Sequence, residues 1–177
     1  MKVIIVGGVA GGMSAAARLR RLDENAEITV YEMSEHVSYA NCGLPYFVSD
    51  VISKRDALLL QTPTALWNRF RINAKVQSKV TAIDRSNKTV TVQNLATGET
   101  FEDTYDKLVI STGARPRKLD IPGIERAMWL RNVTDADEVK AALTTLETSG
   151  AANKSAVILG AGFIGIELAE NIAHMGI

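Results

Sequence analysis

Ala156-Val157-Ile158-Leu159-Gly160-Ala161-Gly162-Phe163-Ile164-Gly165 is the stretch that decides the fold. Its first four residues form an apolar run of the kind found in strands buried on both faces of a parallel sheet. Gly160, Gly162 and Gly165 complete a G-x-G-x-x-G pattern, and Ile166 to Met175 continues with helical periodicity. Strand, glycine turn and helix in that order seat a pyrophosphate. The helix N-terminus offers free N–H groups and a positive dipole end. Glycine removes the Cβ that would hold the phosphates off the backbone.

The same pattern opens the chain. Val3-Ile4-Ile5-Val6 leads into Gly7-Gly8-Val9-Ala10-Gly11-Gly12, and a helical pattern runs from Met13 to about Leu22. Gly7 aligns on Gly160, 153 residues further on, with Val9 where the second copy has its middle glycine. Ile28 to Glu32 reads as the next strand, and Glu32 at its end can accept hydrogen bonds from a ribose 2′-OH. Two such units imply two nucleotide sites. A protein holding two dinucleotides commonly passes a hydride between them, and flavin with nicotinamide is the usual pairing. The chain stops at Ile177, before the strand and the side chain that would separate NAD from NADP. It reads as the N-terminal portion of a longer protein.

The region between the repeats has a different texture. Thr62-Pro63 ahead of Ala65, Leu66, Trp67 and Phe70 predicts a short capped helix. Lys75 to Asp84, Lys88 to Leu95 and Thr100 to Tyr105 predict three antiparallel strands, turned at Ser86-Asn87 and Thr97-Gly98. Leu108-Val109-Ile110 predicts a further buried parallel strand, ending in Ser111-Thr112-Gly113-Ala114-Arg115-Pro116. Asp120 to Gly123 reads as a boundary loop. Thr134 to about Thr148 reads as a helix with acids in its first turn. The expected fold is α/β, with two dinucleotide-binding units and an inserted antiparallel meander.

Composition narrows the class. The 177 residues carry 20 Lys plus Arg and 20 Asp plus Glu, which gives no support for nucleic-acid binding. No stretch approaches the roughly 18 apolar residues of a membrane span, and Val3–Val6 is too short for a signal sequence. One cysteine cannot form an internal disulfide, so a cytoplasmic protein is expected. His36 and His174 are far apart and no metal-ligand cluster is visible.

That cysteine lies in Ser38-Tyr39-Ala40-Asn41-Cys42-Gly43-Leu44-Pro45-Tyr46. Pro45 suits the first turn of a helix. The thiolate is the reactive form of cysteine, and a helix N-terminus favours it. A lone cysteine is otherwise a small buried hydrophobe. Arg18 and Arg21 lie one turn apart and can share a helix face, either as phosphate ligands or as a solvated basic face together with Arg20.

These features resemble the pyridine nucleotide-disulfide oxidoreductases over essentially the whole chain. Ser38-x-x-Asn41-Cys42-Gly43-Leu44-Pro45-Tyr46 is similar to the single-cysteine branch, closest to coenzyme A-disulfide reductases and NADH-dependent persulfide reductases. The resemblance implies an FAD-binding segment over 1–118 and the start of an NAD(P)H-binding domain over 119–177. It implies that Gly7, Gly8, Val9, Ala10, Gly11 and Gly12 hold the FAD pyrophosphate and Glu32 the ribose. Val80 would meet the adenine through its backbone, Thr112 and Gly113 would close over the FAD, and Arg131 would lie near the flavin. Gly160, Gly162, Phe163, Ile164 and Gly165 would hold NAD(P)H, with Glu167 near the flavin and nicotinamide. Ser14, Arg18, Arg21, Ser38 and Asn41 match coenzyme A contacts. Two positions depart from the family: Arg18 replaces a small or polar residue, and Phe70, between Arg69 and Arg71, stands where a basic residue is expected.

The implied enzyme passes electrons from NAD(P)H through flavin to Cys42, which reduces a coenzyme A disulfide or a related small disulfide or persulfide. Family members dimerise through a C-terminal domain, so a homodimer is expected. Two alternatives compete. One is an NADH oxidase or peroxidase cycling Cys42 through a sulfenic acid. The other is a non-catalytic nucleotide-binding redox module.

Overall fold

The computed structural model describes residues 1–117 and 119–177. Its strands are β1 (Lys2–Val6), β2 (Glu27–Tyr31), β3 (Ile72–Lys75), β4 (Ser78–Asp84), β5 (Thr89–Asn94), β6 (Thr100–Thr104) and β7 (Lys107–Ile110). Its helices are α1 (Ala10–Leu22), α2 (Leu44–Val48), α3 (Pro63–Phe70), α4 (Val133–Thr148) and α5 (Phe163–His174). Two compact units result. One is Met1–Tyr39 with Leu59–Ala114, the other Ala40–Leu58 with Arg115–Ile177. The sequence division into 1–118 and 119–177 follows the glycine motifs, whereas packing also places Ala40–Leu58 in the second unit. Lys118 itself lies outside the described residues.

The first unit is built on a parallel sheet of order β3-β2-β1-β7. Val3 and Ile5 share one face with Ile28, Val30, Ile72 and Ala74, packed against Met13 and Ala16 of α1 and Leu66 of α3. Ile4, Val6 and Tyr31 point the other way, onto Val90 and Val92 of β5. Both faces are therefore covered, which is why Val3–Val6 is apolar without alternation. β4, β5 and β6 form the antiparallel meander.

A polar anchor fixes the meander to the sheet. Tyr31 Oη donates to Asp103 Oδ2 at 2.7 Å, and Lys2 Nζ donates to Asp103 Oδ1 at 2.5 Å. Burial pushes the Tyr31 hydroxyl well above its ordinary range, and the bond to Asp103 adds to this. Burial alone would raise the Asp103 carboxyl too. The hydrogen bonds from Lys2 and Tyr31 outweigh it and hold that carboxyl below its ordinary value.

The second unit gathers α2, α4 and α5, with Leu44, Phe47, Val48, Leu58, Val133, Ala136, Val139, Leu143 and Ile172 buried. Helix α4 opens with a capping box between Asn132 and Asp135, one residue ahead of the expected start.

Several expectations need correction. Ala156 to Leu159 is not a strand: Val157 is 86% and Leu159 58% exposed. A strand exists through its ladder, and no described residue pairs with this run. The strand expected from Lys75 splits in two. Lys75 ends β3 of the parallel sheet, and Gln77, at φ 49°, reverses the chain before β4. β7 is an edge strand rather than a buried one, pairing with β1 alone and leaving Ile110 64% exposed. Both glycine-turn helices also start early, at Ala10 and Phe163 instead of Met13 and Ile166.

Arg20 does not belong to the basic face of α1. Its Nε donates to Phe70 O at 2.8 Å, Nη1 to Asp23 O and Glu24 O, and Nη2 to Ala26 O and Arg71 O. This guanidinium satisfies the carbonyls that end α3 and those of the α1–β2 loop. Arg20→Ala is expected to cost about 1–3 kcal/mol, because several charge-assisted bonds go and the part-buried carbonyls of Phe70, Asp23 and Ala26 lose their donor. Arg20→Lys will recover little, since an ammonium lacks the fork. Thermal unfolding of the three proteins checks this.

Candidate functional site

The two glycine turns share one geometry. Gly7 has φ +99°, and a Cβ on Gly12 would fall 1.8 Å from Gly7 O. Gly160 has φ +115°, and a Cβ on Gly165 would fall 2.3 Å from Gly160 O. In each turn the first glycine reverses the chain and the sixth lets the helix cross over that reversal. The helices also begin alike: Met13 N donates to Val9 O, and Ile166 N to Gly162 O.

The third position behaves differently. A Cβ on Gly162 would meet nothing within 4 Å, and Val9 occupies the matching place as the residue preceding α1. The fold requires the outer glycines of each motif but not the middle one.

Capping separates these helices from α3 and α4. Thr62 Oγ1 caps α3 by accepting from Ala65 N, and Asn132 caps α4 by accepting from Asp135 N. Neither α1 nor α5 has a side-chain cap. Two helix N-termini with close-packed glycines and no capping side chain fit an anionic pyrophosphate.

Around the first turn, Glu32 is buried. Its Oε2 accepts from Gly8 N at 2.7 Å and its Oε1 from Ser34 N at 2.8 Å. A carboxylate has further lone pairs, so ribose hydroxyls remain within its capacity. Ser38 adopts φ 49°, and its N–H donates to Gly8 O at 2.9 Å. Ser111 packs against the same turn, its carbonyl 2.1 Å from where a Gly7 Cβ would lie. Ser111 is not among the candidates read from the sequence, which fall on its neighbours Thr112 and Gly113, the latter in left-handed backbone at φ 67°. Val80 sits at a β-bulge in β4, where the ladder to β5 skips Thr81.

Ser14, Arg18 and Arg21 all lie exposed on α1 at the spacing of one helix face. With Arg20 engaged elsewhere, the face carries two guanidinium groups.

In the second unit, Asn41, Cys42 and Gly43 form a single 3-10 turn that runs straight into α2, with Pro45 in its first turn. Cys42 is exposed, so the sulfur is accessible to a reagent, unlike a buried structural thiol. Helix α2 has five residues, Leu44–Val48, with Pro45 in its first turn as expected. Arg131 leads into α4, its N–H donating to Asp135 Oδ2. Glu167 is half-buried one turn into α5, after Phe163, Ile164 and Gly165. The candidate residues thus form two groups. Gly7–Gly12, Ser14, Arg18, Arg21, Glu32, Ser38, Val80, Thr112 and Gly113 lie in the first unit, the rest in the second.

All 177 residues match the pyridine nucleotide-disulphide oxidoreductase family. The chain belongs to that family. A coenzyme A disulfide reductase of Staphylococcus epidermidis is 37% identical over 176 residues, 99% of this chain and 39% of that protein. Among solved structures, reduced Bacillus anthracis CoADR-RHD superposes with a TM-score of 0.91 at 45% identity, covering 99% of this chain and 31% of that one. An NAD-dependent persulfide reductase from A. fulgidus gives 0.89 at 37% identity, covering 99% and 32%. The chain therefore spans about two fifths or less of these relatives. Among the described residues no helix is long and apolar enough to cross a membrane.

Proposed function

We propose that this chain is the FAD- and NAD(P)H-holding part of an oxidoreductase whose Cys42 reduces coenzyme A disulfide or a related small disulfide or persulfide. One observation carries the reading. Two glycine turns of the same geometry open uncapped helices, in a chain whose single cysteine is exposed on a 3-10 turn.

The residues divide the work. Gly11 and Gly12, at the start of α1, bring backbone N–H groups to an FAD pyrophosphate, while the N–H groups of Gly7 and Gly8 brace the turn on Tyr31 O and Glu32 Oε2, and Glu32 orients the ribose. The turn from Gly160 to Gly165 does the same for NAD(P)H. A bound flavin would relay two electrons between nicotinamide and disulfide. Cys42 as thiolate attacks one sulfur of a disulfide RS–SR, forming Cys42–S–S–R and expelling RS⁻. Two electrons and a proton then return Cys42 to the thiolate and release RSH. With a persulfide the expelled group is hydrosulfide. No second protein cysteine is needed, because the substrate supplies the partner sulfur.

Support for coenzyme A comes from α1. Arg18 and Arg21 present two guanidinium groups on one exposed face, with Ser14 beside them, suited to phosphate oxygens. Arg18→Glu with Arg21→Glu is expected to raise KM for coenzyme A disulfide at least about tenfold. Turnover of a small persulfide without phosphates should hold. Loss of both activities in parallel would remove α1 from substrate recognition.

The deciding experiment follows nicotinamide oxidation by the intact protein, with NADH and NADPH, against coenzyme A disulfide, a persulfide, oxygen and peroxide. The expected result is thiol or hydrosulfide release matching nicotinamide consumed. Rapid oxygen or peroxide consumption with neither sulfur substrate reduced would overturn the reading.

A further inference from the structure

Among the described residues, the segment carrying Cys42 is fastened within its own unit by polar contacts from Arg55, Lys140 and Asn171, and one differs in kind. Arg55 pairs with Asp137 of α4, Nη2 to Oδ2 at 2.8 Å, with both side chains more than a third exposed. Lys140 of α4 donates to Phe47 O at 2.9 Å and to Asp50, and lies 4.3 Å above the Phe47 ring. Both contacts face solvent in part and are screened there. The third involves Asn171 of α5, which is 3% exposed. Its Oδ1 accepts from Ser49 Oγ at 2.5 Å, and its Nδ2 donates to Glu167 O at 2.7 Å. Ser49 terminates α2, and Asn171 lies two turns along the helix that the Gly160–Gly165 turn opens.

A buried amide costs stability unless both ends are bonded, and here both are. An apolar residue could pack at this place in more than one way. The Asn171–Ser49 pair favours one alignment of α2 on α5, because a slip strands the buried Asn171 Oδ1, while the half-buried Ser49 hydroxyl falls back on Tyr46 O at 3.3 Å. The 3-10 turn with Cys42 continues into α2 without a break, so the alignment of α2 sets where the sulfur is presented.

We infer that Asn171 is a positioning residue for Cys42, acting through Ser49 to hold α2 in register with the helix of the second glycine turn. The inference rests on the reading of Cys42 as the reacting thiol. It assigns a role to a pair 122 residues apart in the chain.

The test uses the intact protein with Asn171→Leu, Ser49→Ala, Ser49→Thr and the Ser49→Ala/Asn171→Leu double variant. Asn171→Leu and Ser49→Ala are each expected to lower kcat for disulfide reduction about tenfold, the scale on which small misplacements act. KM for the nicotinamide and the rate of flavin bleaching by it should stay within about twofold of wild type. Ser49→Thr keeps the hydroxyl and should keep the wild-type rate. The double variant should be no slower than Asn171→Leu, because both changes remove one contact. Amide hydrogen exchange across residues 41–50 should quicken in Asn171→Leu with β1 and β2 unchanged. Additive losses, failure of Ser49→Thr, or equal slowing of flavin bleaching would reduce Asn171 to a packing residue. Unchanged exchange across 41–50 would also overturn the inference. If the wild-type protein reduces no disulfide or persulfide, the functional reading fails, while the exchange data still decide the tether by themselves.

Discussion

Cys42→Ser is expected to abolish reduction of disulfides and persulfides, by more than about 10³-fold, while flavin bleaching by the nicotinamide survives. The argument is chemical. A serine hydroxyl stays protonated near neutral pH, and oxygen cannot take the place of sulfur in a mixed disulfide. The structural cost is small, because the side chain is exposed on a short turn and the exchange alters one atom. A surface change of this kind moves stability by about 0.5 kcal/mol or less. Stopped-flow absorbance separates the two half-reactions. Thiol release that persists in Cys42→Ser would show that this sulfur does not carry the chemistry.

Gly12→Ala should do comparable damage by another route. The added methyl carbon would lie 1.8 Å from Gly7 O, and it cannot move away without the backbone. Gly7 cannot yield either. Its N–H is bound to Tyr31 O at 2.8 Å, and Ser111 O presses on its other side. Overpacking against two fixed main-chain segments is expected to cost about 3 kcal/mol or more and to empty the first nucleotide site. The protein should purify colourless, with a lowered melting temperature. Gly162→Ala is the control: a Cβ there meets nothing, so the fold should hold and only nicotinamide affinity should fall. A yellow, stable Gly12→Ala protein would contradict the geometry.

Much of this was legible in the residues. β1 and β2 announce themselves as β-branched runs because both faces of their sheet are covered. The glycine turns are readable because a Cβ is excluded at fixed positions, and the meander turns because Asn, Gly and Ser punctuate them. β3 was hidden for lack of such punctuation. Only Val76 and Gln77 separate it from β4, and Gln77 takes a left-handed conformation that nothing in its side chain advertises. The run at 156–159 misled in the opposite direction, since its composition suits a strand but pairing does not follow from composition. Arg20 was indistinguishable from Arg18 and Arg21 until the carbonyls around it were in place. No local pattern could join Ser49 to Asn171.

The kinship of the two glycine turns has a consequence for sorting. FAD and NAD(P)H share an adenosine diphosphate half, and a cradle of backbone amides is blind to what hangs from it. Turns this alike cannot by themselves tell the two molecules apart. We propose that the traffic is directed by what differs around them: the valine standing in for a glycine at position 9, and the buried Glu32 carboxylate that braces one turn through Gly8 N. Transplanting a turn between the two places would therefore carry the grip across and leave the address behind.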